Sequence, residues 1–105
     1  IRPALYGSKY SLFSVNKASL PHDEIVTIAG KYCETGDKLV ENVALPMPES
    51  NDLIAIPVSG AYNFSMSSNY NVSLRPAIIL IISNGDLNIL RRRETYDDIL
   101  KLSGI

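Results

Sequence analysis

The sequence predicts a mainly β domain, an antiparallel β-barrel or sandwich with a short C-terminal helix. Three observations predict it. First, Ser8 to Val15, Glu24 to Tyr32, Lys38 to Leu45 and Leu53 to Val58 are short runs rich in Val, Ile, Leu and aromatics. Pro, Gly, Asn and Asp punctuate them at 20–23, 36–37, 46–52 and 59–60, the spacing of successive strands. Second, Ala77 to Ile82 is a continuous β-branched run, followed by the turn Ser83-Asn84-Gly85-Asp86, whose Asn-Gly tolerates the positive φ of a tight hairpin, and a return strand over Leu87 to Arg92. Third, Thr95 can cap a final helix, with Asp98 three residues on completing a capping box.

Each element follows from its side chains. Along Glu24 to Tyr32, Ile25 and Ala29 face one way while Val26, Ile28 and Tyr32 face the other, so both sides are expected to be covered. The run from Ala77 to Ile82 is expected to be buried on both faces or at an interface. Tyr96, Ile99 and Leu100 would form the apolar stripe of the last helix. Residues 63–71 are too rich in Ser and Asn for a core strand, and are expected to be irregular or a short helix.

The totals bound the function. With 105 residues, 46% of them apolar and 20% charged, the chain fits one globular domain. Net charge is −1, which provides no electrostatic footprint for nucleic acid or an anionic membrane. One cysteine excludes an internal disulfide. Ala77 to Ile82 is far too short to span a bilayer, and no secretory signal opens the chain. The expectation is a soluble cytoplasmic domain. Ile1 in place of an initiator Met, with Arg2-Pro3 next, reads as a piece excised from a longer protein.

Four runs carry chemistry. In Cys33-Glu34-Thr35-Gly36-Asp37 a thiol stands beside a carboxylate. In a strand their side chains would point to opposite faces, but at the turn offered by 35–37 both can project forward. The thiol could give a proton to a carbanion and the carboxylate could hold a cationic amine, although a lone cysteine is more often a small buried hydrophobe. Arg2 and Tyr6, in Arg2-Pro3-Ala4-Leu5-Tyr6, fall on one side of a helix or of an extended segment, and Pro3 disfavours the helical region for Arg2. A guanidinium fork with a phenol suits a carboxylate, the plainer reading being a surface Arg and a half-buried Tyr. Tyr62 follows the small pair Gly60-Ala61, so its hydroxyl could reach a phosphate oxygen, or be satisfied in a core. Arg91-Arg92-Arg93 stands near Glu94, Asp97 and Asp98 and reads as a structural ion-pair cluster, while His22 lacks metal-ligand spacing to any partner. No metal site is expected.

With these four runs in this order, the chain resembles the C-terminal β domain of the diaminopimelate decarboxylases, members of the fold-type III pyridoxal-phosphate decarboxylases. The resemblance spans nearly the whole chain. It implies a Greek-key type β-barrel over residues 1–105, preceded in the full protein by an N-terminal (β/α)₈ barrel whose lysine binds pyridoxal 5′-phosphate covalently. It implies conversion of meso-2,6-diaminopimelate to L-lysine and CO₂ in lysine biosynthesis. Cys33 would be the catalytic proton donor, and Glu34 would bind the distal amine. Arg2 and Tyr6 would hold the substrate carboxylate, and Tyr62 would contact both the cofactor phosphate and the substrate. The residues after Tyr62 would form pocket wall and dimer contact. The active site would be shared across a homodimer, with no nucleic acid and no membrane as partner.

One departure is Asn51-Asp52 where family members usually have Gly-Asp; asparagine also tolerates the left-handed conformation. The five lysines, Lys9, Lys17, Lys31, Lys38 and Lys101, all read as ordinary surface residues. The family's β domain also borrows a strand from the protein's extreme N-terminus, so the chain alone is expected to be inactive and marginally soluble. Alternatives are another decarboxylase of the same fold, acting on ornithine, arginine, D-lysine or carboxynorspermidine, and a non-catalytic β-barrel binding module.

Overall fold

The computed structural model describes residues 3–101, 103 and 104. The chain forms two compact units, Ile1–Met66 and Ser67–Ile105. The first holds a one-turn helix α1 (Pro3–Tyr6), strands β1 (Phe13–Ser14), β2 (Glu24–Ala29), β3 (Lys38–Leu45) and β4 (Ile54–Ala55), and a second one-turn helix α2 (Gly60–Asn63). Proline opens α1 at the position where a missing N–H costs nothing. Gly7, at φ +62°, closes it, and Ser8 N–H reaches back to Pro3 O at 3.0 Å, the Schellman arrangement that glycine permits.

β2 and β3 form the long hairpin of this unit, from Glu24 opposite Leu45 to Ala29 opposite Lys38, with two register shifts. Asn42, at φ +54°, lies where two β3 residues face one of β2, a bulge that asparagine tolerates. Val26 and Ile28 are half-buried and Leu45 is 1% exposed, whereas Ile25 is 66% exposed. Cover on both sides of this strand is therefore not found; one face is open. β1 pairs antiparallel with β4 over two residues each. The longer runs expected at 8–15 and 53–58 shrink to these. Pro57 has no N–H to continue the ladder, and Val58 at φ +54° turns the chain out of the strand.

A polar clasp fixes that short pair. Asp52 accepts from Asn16 Nδ2 at 2.8 Å, from Glu49 N–H at 2.8 Å and, as an ion pair, from Lys17 Nζ at 2.8 Å. Leu53 N–H donates to Asn16 Oδ1 at 3.1 Å. Asn51 has φ +74°, the left-handed conformation expected of it. Lys17 and then Asn16 hold the Asp52 carboxyl down to about 2. Asp52→Ala is expected to lower the melting temperature by a few degrees and to speed amide exchange at Glu49 and Leu53. Unchanged exchange there would refute the clasp.

The second unit holds a 3₁₀ turn at Tyr70–Val72, β5 (Ile78–Ile81), β6 (Leu87–Arg91) and α3 (Tyr96–Leu100). β5 and β6 form a hairpin with one register shift. Only Gly85 takes positive φ (+90°) in its turn, with Gly85 N–H on Ile82 O and Ile82 N–H on Asp86 O, so the loop is the longer form with glycine in the left-handed position. The hairpin is not covered on both faces: Ile79 is 46% exposed, Ile81 70% and Ile89 70%. Thr95 and Asp98 make the expected capping box, Asp98 Oδ2 accepting Thr95 N–H at 2.9 Å. Tyr96 and Leu100 of the expected stripe are nevertheless exposed.

The chain is thus mainly β with short helices. Among the described residues the strands make three separate two-stranded antiparallel sheets, and no closed barrel is seen. No helix among them is long and apolar enough to cross a membrane.

Candidate functional site

Cys33 and Glu34 sit at the tip of the β2–β3 loop, where a turn allows neighbouring side chains to leave the strand alternation. Glu34 N–H donates to Tyr32 O at 2.8 Å, and Gly30 N–H to Asp37 O at 2.8 Å. Tyr32 N–H donates to Asp37 Oδ2 at 2.9 Å. Cys33 is exposed and Glu34 half-buried. The cysteine is therefore not the small buried hydrophobe that composition alone allows.

Tyr6 ends α1 and is 63% exposed. α1 packs on β3, and a cleft of about 370 Å³ opens beside the contact. Pro3 and residues 7–10 line one side of the cleft, Thr35 and residues 38–41 the other. Neighbours of Tyr6 and of Cys33 in sequence thus border one concavity, but Tyr6, Cys33 and Glu34 do not themselves line it. Lys38 and Glu41, paired at 2.7 Å, stand on its wall. Arg2 lies outside the described residues.

Tyr62 projects from α2, is 68% exposed and does not line that cleft. A Cβ added at Gly60 would meet nothing within 4 Å, so the backbone beside Tyr62 is open to a bound group. Ser65 Oγ and Met66 N–H close on Tyr62 O at 3.2 and 3.0 Å. His22 is exposed.

The second unit is organised by Glu94, which is 8% exposed. Its carboxylate accepts from Arg75 N–H at 2.8 Å, Arg75 Nη1 at 2.9 Å, Asn69 Nδ2 at 2.8 Å and Arg91 Nη2 at 3.0 Å. The Arg75 fork also donates to Ser67 Oγ, Ser67 O and Asn69 Oδ1. Arg75 main-chain and side-chain donors hold the Glu94 carboxyl down to about 2. Arg92 grips Asp98 through both terminal nitrogens at 2.6 Å and, with Thr95 and Lys101, pushes that carboxyl well below the usual range. The arginine run thus contributes structural ion pairs through Arg91 and Arg92, as expected, but the central cation is Arg75. Its sequence signal was faint: an isolated Arg before Pro76, with its partner nineteen residues away.

The residues suit one part of pyridoxal phosphate and not another. An exposed phenol beside open backbone can donate to a phosphate oxygen. An anchoring lysine is harder to find here. Lys17 is tied to Glu49 at 2.7 Å, to Asp52 and to Met47 O, and these partners raise its pKa, which keeps the amine protonated. Lys38 and Lys101 are paired with Glu41 and Asp98. Lys17, Lys38 and Lys101 are thus engaged in ion pairs, and Tyr62 is the donor that suits the cofactor's phosphate.

Comparison with known proteins gives the family. The family model described as pyridoxal-dependent decarboxylase, C-terminal sheet domain, matches residues 1–60. Diaminopimelate decarboxylase of Bacillus subtilis (strain 168) is 46% identical over 102 residues, covering 97% of this chain and 23% of the relative. The enzyme of the same name from Synechocystis is 46% identical over 100 residues, covering 95% of this chain and 21% of its own. The crystal structure of diaminopimelate decarboxylase from M. jannaschii in co-complex with L-lysine superposes with a TM-score of 0.83 at 34% identity, over 99% of this chain and 23% of that one. The chain thus spans under a quarter of the length of these relatives. With the family model matching more than half of its residues and relatives 46% identical along nearly all of it, the chain belongs to the C-terminal sheet domains of the pyridoxal-dependent decarboxylases.

Proposed function

We propose that residues 1–105 are the C-terminal domain of a diaminopimelate decarboxylase, which removes CO₂ from meso-2,6-diaminopimelate to leave L-lysine. The observation that carries this reading is similarity along 97% of the chain to a relative of that name at 46% identity. The co-complex of a structural neighbour with L-lysine supports the product class.

Pyridoxal phosphate, when bound, supplies the electron sink that lets a carboxylate leave an amino-acid carbon as CO₂. The work of this chain is binding and proton return. Cys33 Sγ–H gives a proton to the carbon that has lost its carboxylate and recovers one from solvent, so each turnover consumes one proton and releases one CO₂. The Glu34 carboxylate takes the distal ammonium, and Arg2 with Tyr6 takes the remaining carboxylate. Tyr62 Oη donates to the cofactor phosphate and borders the substrate.

The same reading assigns an N-terminal (β/α)₈ barrel to the rest of the protein, with the cofactor lysine in it. It assigns further strands that close the open pairs into a Greek-key barrel, a homodimer whose sites are shared between subunits, and a cytoplasmic location. The exposed apolar side chains of the β5–β6 hairpin support a covering partner, since patches of this kind mark interaction surfaces.

The test is CO₂ release by the full-length protein with pyridoxal phosphate, offered meso-diaminopimelate, lysine, ornithine and arginine separately. Turnover of diaminopimelate alone is expected. Preference for ornithine or arginine would overturn the substrate and keep the fold. No turnover of any would leave the binding-module reading standing.

A further inference from the structure

We infer that Asp37 is a positioning residue for Cys33, acting through the backbone of the loop. The inference rests on the reading of Cys33 as proton donor. The Tyr32 O to Glu34 N–H contact of 2.8 Å closes a three-residue turn with Cys33 at its centre. Cys33 is not among the residues at positive φ, so the turn is the common inverse form, which an L residue adopts without strain. The residue that opens this turn, Tyr32, has its N–H held by Asp37 Oδ2 at 2.9 Å. The same Asp37 takes Gly30 N–H on its main-chain oxygen at 2.8 Å, and its own N–H approaches Glu34 O at 3.4 Å. One residue therefore ties both sides of the loop beneath the thiol.

Gly30 makes this possible. A Cβ built on Gly30 would collide with the Asp37 carboxylate, so the carboxylate occupies the space that any other residue's side chain would need. Gly30 is not at positive φ; close approach, and not backbone freedom, is what demands glycine. A half-buried carboxylate in this place serves an exposed cysteine. Removing the Asp37 carboxylate takes away the acceptor of Tyr32 N–H at the residue that opens the turn, and a loop that loses such a tie opens at lower free energy. Misplacing a reacting group by about 1 Å costs up to ~10²-fold in rate.

The experiment uses the full-length enzyme as wild type, Asp37→Ala, Asp37→Asn, Gly30→Ala and Cys33→Ala. Readouts are kcat per folded site, KM, melting temperature, and alkylation of Cys33 by iodoacetamide followed by mass spectrometry. Alkylation is read in the cofactor-free protein, and with cofactor in the presence and absence of L-lysine. Asp37→Ala is expected to lose ~10- to 100-fold in kcat at nearly unchanged melting temperature. Alkylation of its cofactor-free form should change, and L-lysine should cease to protect the thiol. Asp37→Asn, which keeps an oxygen acceptor for Tyr32 N–H, is expected to restore most of both, and Gly30→Ala to resemble Asp37→Ala. If Asp37→Ala fails to fold, Gly30→Ala carries the test. Wild-type kcat and protection in the loop variants, beside a crippled Cys33→Ala, would overturn the inference alone. Wild-type kcat in Cys33→Ala would overturn the reading it rests on and the inference with it.

Discussion

Replacing Cys33 by alanine in the full-length enzyme is expected to lower kcat for diaminopimelate by about 10²–10⁴-fold, the usual contribution of a positioned general acid. KM should change only a few-fold, because a proton donor acts in the transition state more than in binding. The exposed position of the cysteine sharpens this expectation. A buried structural thiol, once removed, would cost stability through a cavity; an exposed one should leave the melting temperature near wild type. Serine is the informative companion, since its hydroxyl is a far weaker acid of similar shape and should not rescue kcat. Alkylation of the wild type by iodoacetamide should abolish turnover, with cofactor and substrate protecting. Wild-type turnover in Cys33→Ala would move proton return to another group.

What the sequence made legible was local. The Thr95–Asp98 capping box spans three residues, and both partners are visible in one short string. The turn at Gly85 and the left-handed Asn51 are single-residue propensities. Properties set by distant partners were hidden. Ala77 to Ile82 reads as a doubly buried strand because its side chains are apolar on both faces, yet burial depends on what covers those faces. Lys17 reads as a surface lysine, and only the return of residues 47–52 makes it the centre of a clasp. At the site, motif chemistry singled out Cys33 and Glu34, but Asp37 looked like an ordinary turn residue. Its hold on Tyr32 depends on how the loop closes above β2 and β3, which no spacing rule encodes.

Glu94 provides the largest expected effect on stability. One carboxylate ties together residue 69, residue 75 and the end of β6, in the segment that follows the Tyr62 run in sequence. Glu94→Ala should lower the melting temperature by several degrees, because the Arg75 fork loses its counter-charge, Arg75 N–H loses its acceptor and Asn69 Nδ2 keeps only Ser73 O. Arg75→Lys should be nearly as damaging, since an ammonium cannot reach Ser67, Asn69 and Glu94 at once. The pH dependence has a definite sign. The folded carboxyl sits at about 2, below its ordinary 4.5, so its stabilisation is complete above 4.5 and is lost as pH falls towards about 2. Asp98 and Asp52 are lowered in the same direction and also weaken the fold in acid. The difference in melting temperature between wild type and Glu94→Gln cancels their share. That difference should be largest at neutral pH and shrink through the window from 4.5 to about 2. A difference that stays constant across the window would mean that Glu94 acts through shape alone, with its charge contributing nothing.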